Sequence, residues 1–216
     1  MDILTPEISA YLDALVPERP PEMRAMERRA AETRFPIIGP AAGQLCYLVA
    51  RMIGARRVFE LGSGYGYSTA WFARAVLENG GDKGGGEVHH VVWDQELSRE
   101  ARRHLAALGL DHLVRFHVGE AVDTLRGTAG PFDLIFNDID KSGYPGSLPV
   151  IASRLRPGGV LMVDNLLWSG RVLDAGDQSA ETKGVRELTR LLGESDQWIW
   201  SIVPIRDGVL VAWKRR

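Results

Sequence analysis

Apolar residues follow two different rhythms along the chain. Over residues 5–35 the spacing is helical: Ile8, Tyr11, Leu12 and Leu15 form one stripe, the stretch from Pro17 to Pro21 interrupts it, and a Glu/Arg-rich stretch at 22–34 follows. After the break at Gly39-Pro40, Leu45, Leu48, Val49, Met52 and Ile53 predict an amphipathic helix. From Arg57 the texture changes to short apolar runs of strand length at 58–61, 88–93, 114–118, 132–136 and 160–163. Helical stretches separate them: one through Trp71 and Val76, then 97–108, 121–125 and 148–155, with Pro157-Gly158-Gly159 turning into the fifth run. Such alternation predicts a parallel sheet covered by helices on both faces. The runs at 198–203 and 209–213, joined through Asp207-Gly208, predict a closing hairpin. The expected fold is therefore a doubly wound α/β sheet, mostly parallel, with an antiparallel C-terminal edge and helices in front. One domain over 1–216 accounts for the length, with a helical segment at 1–55 and an α/β core at 56–216. The glycine-rich stretch 79–87 precedes a strand instead of opening a helix, so it is expected to be a flexible surface loop and no phosphate cradle.

Composition narrows the setting. A formal charge of −2 gives no global drive toward nucleic acid or membrane. The single cysteine, Cys46, permits no intrachain disulfide and fits a reducing compartment; it falls on the apolar face of its helix, as a packing residue would. No run reaches membrane-spanning length and no leader pattern opens the chain, so a cytoplasmic location is expected.

Candidate chemistry gathers where the apolar runs stop. After the first run comes Glu60-Leu61-Gly62-Ser63-Gly64-Tyr65-Gly66-Tyr67-Ser68, which opens a helix. Its G-x-G-x-G spacing is not that of dinucleotide binders, and a carboxylate at Glu60 would repel a pyrophosphate yet suit a ligand ammonium. Asp94, ending the second run, is placed for both hydroxyls of a ribose. Glu120-Ala121, after the third, are placed for a base. An amino-acid-bearing nucleoside meets all of these requirements, which points to S-adenosylmethionine. A tight β–α turn with solvated carboxylates would account for the glycines alone, but not for the ordered series at successive strand ends.

Two acidic clusters follow the fourth and fifth runs: Asp138-Ile139-Asp140-Lys141 and Asp164-Asn165. In open α/β sheets ligands bind outside the carboxyl ends of the strands. Oxygen-bearing side chains converging there point to a hard divalent cation, and Lys141 to a base beside it. Singly, each cluster reads as well as a turn or a surface ion pair; together, at one edge, they read as a site.

Four motifs, ELGSGYGYS, FDLIFNDIDKSGY, LRPGGVLMVDNLLWSGRV and PIRDGVLVAWK, resemble those of the cation-dependent O-methyltransferases, which include catechol O-methyltransferase, the plant caffeoyl-CoA enzymes and small bacterial relatives. The resemblance runs from about Pro36 to the C-terminus and implies a Rossmann-like methyltransferase sheet. By position it implies Asp138, Asp164 and Asn165 as ligands of Mg2+, or of Mn2+ or Ca2+. It implies Lys141 as the catalytic lysine, working with Asp138, and Glu60, Gly62, Ser68, Asp94, Glu120, Ala121 and Asp138 around S-adenosylmethionine, with Ser68 near its carboxylate. Trp168, with Lys141 and Asn165, would border the acceptor, Trp168 packing beside its ring. A homodimer is implied too. Asn137 stands where the family is usually apolar, which is expected to loosen the strand end or to bond a ligand loop. The stretch 173–183 lacks the arginine- and tyrosine-rich insertion of the plant enzymes, which counts against a CoA-ester acceptor. The weakly matching N-terminal third is where acceptor choice is expected.

The leading expectation is methyl transfer from S-adenosylmethionine to one hydroxyl of a catechol-type small molecule. Three protein oxygens would leave an octahedral cation room for two vicinal acceptor oxygens and a water. The rival is O-methylation of 5-hydroxyuridine in tRNA, for which Arg24, Arg28, Arg29 and Arg34 would supply a basic helical patch; interleaved glutamates favour a solvated face instead. A nicotinamide-dependent oxidoreductase is disfavoured by the glycine spacing. His89, His90, His104, His112 and His117 show no zinc-site spacing and are expected on the surface or in the core. Trp198, Trp200 and Trp213 read as sheet residues.

Overall fold

A computed structural model describes residues 4–216, so the first three positions of the expected N-terminal segment lie outside the described residues. Seven strands form one sheet in the order β3-β2-β1-β4-β5-β7-β6. They are β1 Arg57–Leu61, β2 Glu87–Val92, β3 Val114–Val118, β4 Phe132–Asn137, β5 Leu155–Val163, β6 Trp198–Val203 and β7 Val209–Lys214. The first five run parallel; β7 is antiparallel to β5, and β6 pairs β7 as the expected edge hairpin. On β4, Leu134 and Phe136 enter the core on one face of the sheet while Ile135 enters the other. Period-two alternation with both faces covered is why this strand reads as an unbroken apolar run.

Helices α1 Pro6–Ala14, α2 Pro21–Thr33 and α3 Gly39–Met52 precede the sheet. Two of them bury different faces from those the apolar stripes predict. No residue of α1 is buried, and Ile8, Tyr11 and Leu15 are each about half or more exposed. On α3 the buried face is Gly39, Ala42, Gly43, Cys46 and Ala50, while Met52 is 74% exposed and Leu48 48%. The reason is steric: α3 packs against α4 (Tyr67–Glu78), and Gly43 lies against the Trp71 indole, so small side chains are what the interface admits. The buried thiol of Cys46 fits its expected packing role.

Helices α5 Gln95–Ala107, α6 Ala121–Gly127 and α7 Tyr144–Arg154 occupy the predicted connections. The expected turn at Pro157-Gly158-Gly159 lies inside β5 as a bulge: Phe132 pairs Leu155 but Leu134 already pairs Val160. The loop before β2 holds one 3₁₀ turn at Gly81–Lys83, with Gly81 buried. Helix α8, Ala180–Gly193, was not expected; the Ser179 hydroxyl caps it, and Val185, Leu188 and Leu192 bury its inner face. Trp198 is buried, whereas Trp213, on β7 beside it, is 37% exposed. No helix among the described residues is long and apolar enough to cross a membrane.

Strand order reverses between β1 and β4, and at such a switch point the loops leave in opposite directions and open a crevice. Leu61, Asn137 and Val163 lie in register across it, with Val91 on the next strand. Every candidate residue named from the sequence follows one of these strand ends or, for Glu60, immediately precedes one.

Candidate active site

The first glycine turn is built for close approach. Gly62 has φ +87, and a side-chain carbon there would lie 2.4 Å from the Asp138 carbonyl oxygen, so a glycine lets the β1 turn rest on the loop after β4. The turn is held from above by α2. Tyr65 donates to the Met26 carbonyl (2.9 Å), Tyr67 donates to Glu27 (2.8 Å), and the Arg29 guanidinium sits 4.3 Å over the Tyr65 ring. Arg29 also pairs with Glu100 of α5, and Arg24 with Glu18. The basic helical patch is thus partly spent: Arg29 fastens α2 to the core and is not a member of a solvated face.

Glu60 is fully buried. Thr69 Oγ1 donates its proton to Glu60 Oε2, so it must accept from His90 Nδ1, 3.0 Å away. This fixes a relay from His90 through Thr69 to Glu60 and makes His90 the neutral Nδ1–H tautomer; burial pushes its pKa down to about 3. Glu60 Oε1 is buried with no partner among the described residues. Burial lifts the Glu60 pKa to about 7, against the Ser68, Thr69 and Ser63 hydroxyls, which lower it. An orphaned buried carboxylate oxygen fits a missing cationic donor, such as an ammonium.

Asp94 and Glu120 cap helices. Asp94 Oδ1 accepts from the Glu96 and Leu97 amides (2.7 and 2.9 Å), and Glu120 Oε2 accepts from the Asp123 amide. Each keeps a second oxygen without a partner among the described residues, and Ala121 is buried at the start of α6. Beside them Trp93 (72% exposed) and Val118 (52%) stand at the ends of β2 and β3. The sequence reading passed over both, although a large apolar residue next to a strand-end carboxylate is a signal for a flat ligand.

Across the crevice, the Lys141 ammonium lies 2.9 Å from Asp138 Oδ1 and 3.3 Å from the Ile139 carbonyl, between the rings of Tyr144 and Trp168. Asp140 accepts from the Ser142 amide (3.0 Å) and its hydroxyl, capping the 3₁₀ turn Lys141–Gly143. This gives Asp140 a holding role beneath Lys141 in place of an ion pair. Helix α8 closes the turn from behind: a side-chain carbon on Gly184 would lie 2.1 Å from the Lys141 carbonyl oxygen. Asn137 does not loosen the strand, and its Oδ1 is buried with no partner among the described residues. It stays in register and donates to Ser147 of α7 (2.9 Å).

Asp164 Oδ1 accepts from the Asn165 amide (2.8 Å), and the Asn165 side-chain amide donates to Asp207 (3.4 Å). These bonds leave Asp138 Oδ2, Asp164 Oδ2 and Asn165 Oδ1 without protein partners among the described residues. Burial raises both carboxyls, and the Asp138 carboxylate adds to the rise at Asp164, which reaches about 7; Lys141 and Arg206 oppose it at both. Two carboxylates and an amide oxygen, electrostatically unfinished, are a donor set suited to a hard dication. No group of three or more histidine, cysteine or carboxylate side chains forms a metal cage among the described residues. His89 and His117 do meet, 3.0 Å apart and stacked, but burial lowers both and they lie within the sheet, in keeping with a core role.

Backbone strain is concentrated here. Of the described non-glycine residues with positive φ, Asn165 (61), Trp168 (47), Ser169 (51) and Arg206 (52) all belong to this edge, and only Arg34, ending α2, lies elsewhere. The hairpin tip holds the strained segment: Leu167 donates to the Asp207 carbonyl (2.8 Å), Leu166 to that of Gly208 (2.9 Å), and the Ser169 amide to the Asp207 carboxylate (2.6 Å). The Trp168 indole N–H is buried and unpartnered.

The geometry agrees with comparison to known proteins. A family model described as O-methyltransferase matches residues 7–215. A catechol O-methyltransferase from Niastella koreensis is 30% identical over 216 residues, 95% of either chain. One from Mycobacterium tuberculosis is 32% identical over 192 residues, covering 88% of this chain and 84% of that one. Among solved structures, the O-methyltransferase TomG from Streptomyces achromogenes, involved in tomaymycin synthesis and in complex with SAM, superposes with a TM-score of 0.83 at 29% identity, covering 97% of this chain and 96% of that one. The chain belongs to the O-methyltransferase family.

Proposed function

We propose that the protein transfers the methyl group of S-adenosylmethionine to one hydroxyl of a catechol-type small molecule, with a divalent cation held by Asp138, Asp164 and Asn165. The observation that carries this reading is the convergence, at one switch point, of the orphaned Glu60 oxygen with three partnerless oxygens and the Lys141 ammonium. Glu60 would hold the donor's ammonium, Ser68 its carboxylate, Asp94 the ribose hydroxyls, and Glu120 and Ala121 the base, with Trp93 and Val118 as an apolar rest for it. Gly62 lets the donor approach the β1 backbone.

A cation so bound would supply chelation of two vicinal oxygens and a lowered pKa for the acceptor hydroxyl. Lys141, entering the step as the neutral amine, would take the hydroxyl proton and become the ammonium, with Asp138 and the Ile139 carbonyl accepting from its Nζ and holding it at the reacting edge. The Trp168 face lines the ring, and its buried N–H is a donor without a protein acceptor. Positioning two reactants on one rigid edge supplies much of the acceleration, because the translational entropy is already spent on binding. The exposed apolar residues of α1 and α3 are where we place a homodimer contact. The reading in which 5-hydroxyuridine of tRNA is the acceptor loses part of its support with Arg29 committed to Glu100.

The test is a methyl-transfer assay with magnesium, comparing neutral catechols, catechol-bearing acids and hydroxyuridine-containing tRNA. Product on catechols alone is expected. Product on tRNA alone would replace the small-molecule acceptor with the nucleic acid.

A further inference from the structure

One charged side chain at this edge has no role in the scheme above. Arg206 sits at the tip of the β6–β7 hairpin in left-handed backbone (φ 52), a conformation that favours glycine. Its neighbour Asp207 is fully engaged, holding Asn165 and Ser169. Arg206 is exposed and makes no hydrogen bond or ion pair among the described residues. Its guanidinium reaches across to the start of α3, where a side-chain carbon on Gly39 would lie 2.0 Å from Nη1. Ile38, the residue before that glycine, lines the same crevice as Gly62, Ser68 and Asp138. The guanidinium therefore lies between the N-terminal segment and the edge that carries Asp138 and Asp164, and its charge is felt at both carboxyls.

The charge balance shows what it lacks. In a cation-loaded site, Asp138 and Asp164 offset the dication, and no carboxylate among the described residues pairs with the Arg206 guanidinium. A planar guanidinium with free N–H groups on one side matches a carboxylate in two-point geometry.

We propose that Arg206 is a specificity-determining residue that selects acceptors carrying a carboxylate on the catechol ring or a short arm from it. This inference rests on the proposed diol methylation and narrows its acceptor class. An anionic acceptor bridges the Arg206 guanidinium and the reacting edge; an acceptor with an ammonium arm meets repulsion at the same place. Turn geometry alone does not account for the residue, since glycine would satisfy the backbone with less strain.

The experiment measures kcat/KM with magnesium for 3,4-dihydroxybenzoate, catechol and 3,4-dihydroxyphenethylamine, in the wild type and in Arg206→Gly, Arg206→Gln and Arg206→Lys. The same acid is titrated calorimetrically into protein loaded with magnesium and S-adenosylhomocysteine. The wild type should favour the acid over the amine at least tenfold. That ratio should fall tenfold or more in Arg206→Gly and Arg206→Gln and be largely kept in Arg206→Lys, with acid affinity following the same order. Arg206→Gly suits the turn, so a loss there reports charge and not misfolding. An unchanged ratio in Arg206→Gly would overturn the proposal. So would a raised KM for S-adenosylmethionine with the acid-to-amine ratio intact, which would assign the guanidinium to the donor's carboxylate. A wild type that methylates none of the three diols removes the acceptor class itself and this inference with it. Product from catechol with no acid preference removes only the inference.

Discussion

The two halves of the crevice are finished to different degrees. On the β1–β3 side the polar groups satisfy one another: His90, Thr69 and Glu60 form a closed relay, Asp94 and Glu120 cap the helices they precede, and two tyrosines tie the glycine turn to α2. Of that relay, Glu60 Oε1 and His90 Nε2 are left buried without a partner among the described residues. On the β4–β5 side the Asp138 carboxylate raises the pKa of Asp164, and the backbone is strained at four residues. A half whose polar groups are mostly paired is preorganised for a ligand; a half with clustered negative charge suits a cation. In the proposed scheme the donor lies on the first half and the acceptor on the second.

The largest break is expected on the unfinished side. Asp164→Ala should cost about 10³-fold or more in turnover with magnesium, as loss of a cation ligand removes several kcal/mol of charge stabilisation, and initial rates across a magnesium titration would show it. Lys141→Ala should lower kcat roughly 10²–10⁴-fold, the usual contribution of a positioned general base; a normal rate with a neutral catechol would remove Lys141 from that role.

The finished side should respond in two opposite ways. Glu60→Gln should weaken S-adenosylmethionine binding by about tenfold or more, since a charge-assisted bond contributes roughly 1.5–3 kcal/mol. The same change should stabilise the ligand-free protein at alkaline pH. The folded pKa of Glu60 is raised from 4.5 to about 7, so its neutral form stabilises the fold fully below pH 4.5, and that contribution is lost as pH rises through 7. Chemical denaturation at pH 8 should find the variant more stable by roughly 3 kcal/mol, with the gain vanishing near pH 4.5. A variant no more stable at pH 8 would mean that Glu60 is not held as a costly buried acid.

Much of this was legible in the sequence. The strand runs are where they were expected, because a strand covered on both faces must be apolar throughout, and the carboxylates directly after them inherit their positions from the sheet. Three features were not legible, for physical reasons. The buried face of α3 is made of glycine, alanine and cysteine, so it is marked by smallness against Trp71, while Leu48 and Met52 point outward and Leu45, Val49 and Ile53 are only partly buried against the core. Helix α8 carries its signal in a serine cap and three spaced aliphatics, and its contact with Lys141 depends on the absence of a side chain at Gly184. The capping roles of Asp94, Glu120 and Asp140 use oxygens that composition cannot apportion between backbone and ligand.

The smallest effects should come from these supports. Gly184→Ala should push the Lys141 turn, costing about 1–3 kcal/mol of stability by overpacking together with a lowered kcat, read by thermal unfolding and initial rates. Asp140→Ala should cost about 1 kcal/mol through the lost cap, with a smaller fall in kcat, measured in the same way.

The central claim is that a dication completes the β4–β5 side and holds the acceptor there. The most direct measurement is methyl transfer from labelled S-adenosylmethionine to catechol by the wild-type protein after exhaustive chelation, followed by magnesium add-back. The account predicts no product in chelator and recovery on add-back, with Asp164→Ala unable to recover. Undiminished product in chelator would contradict it.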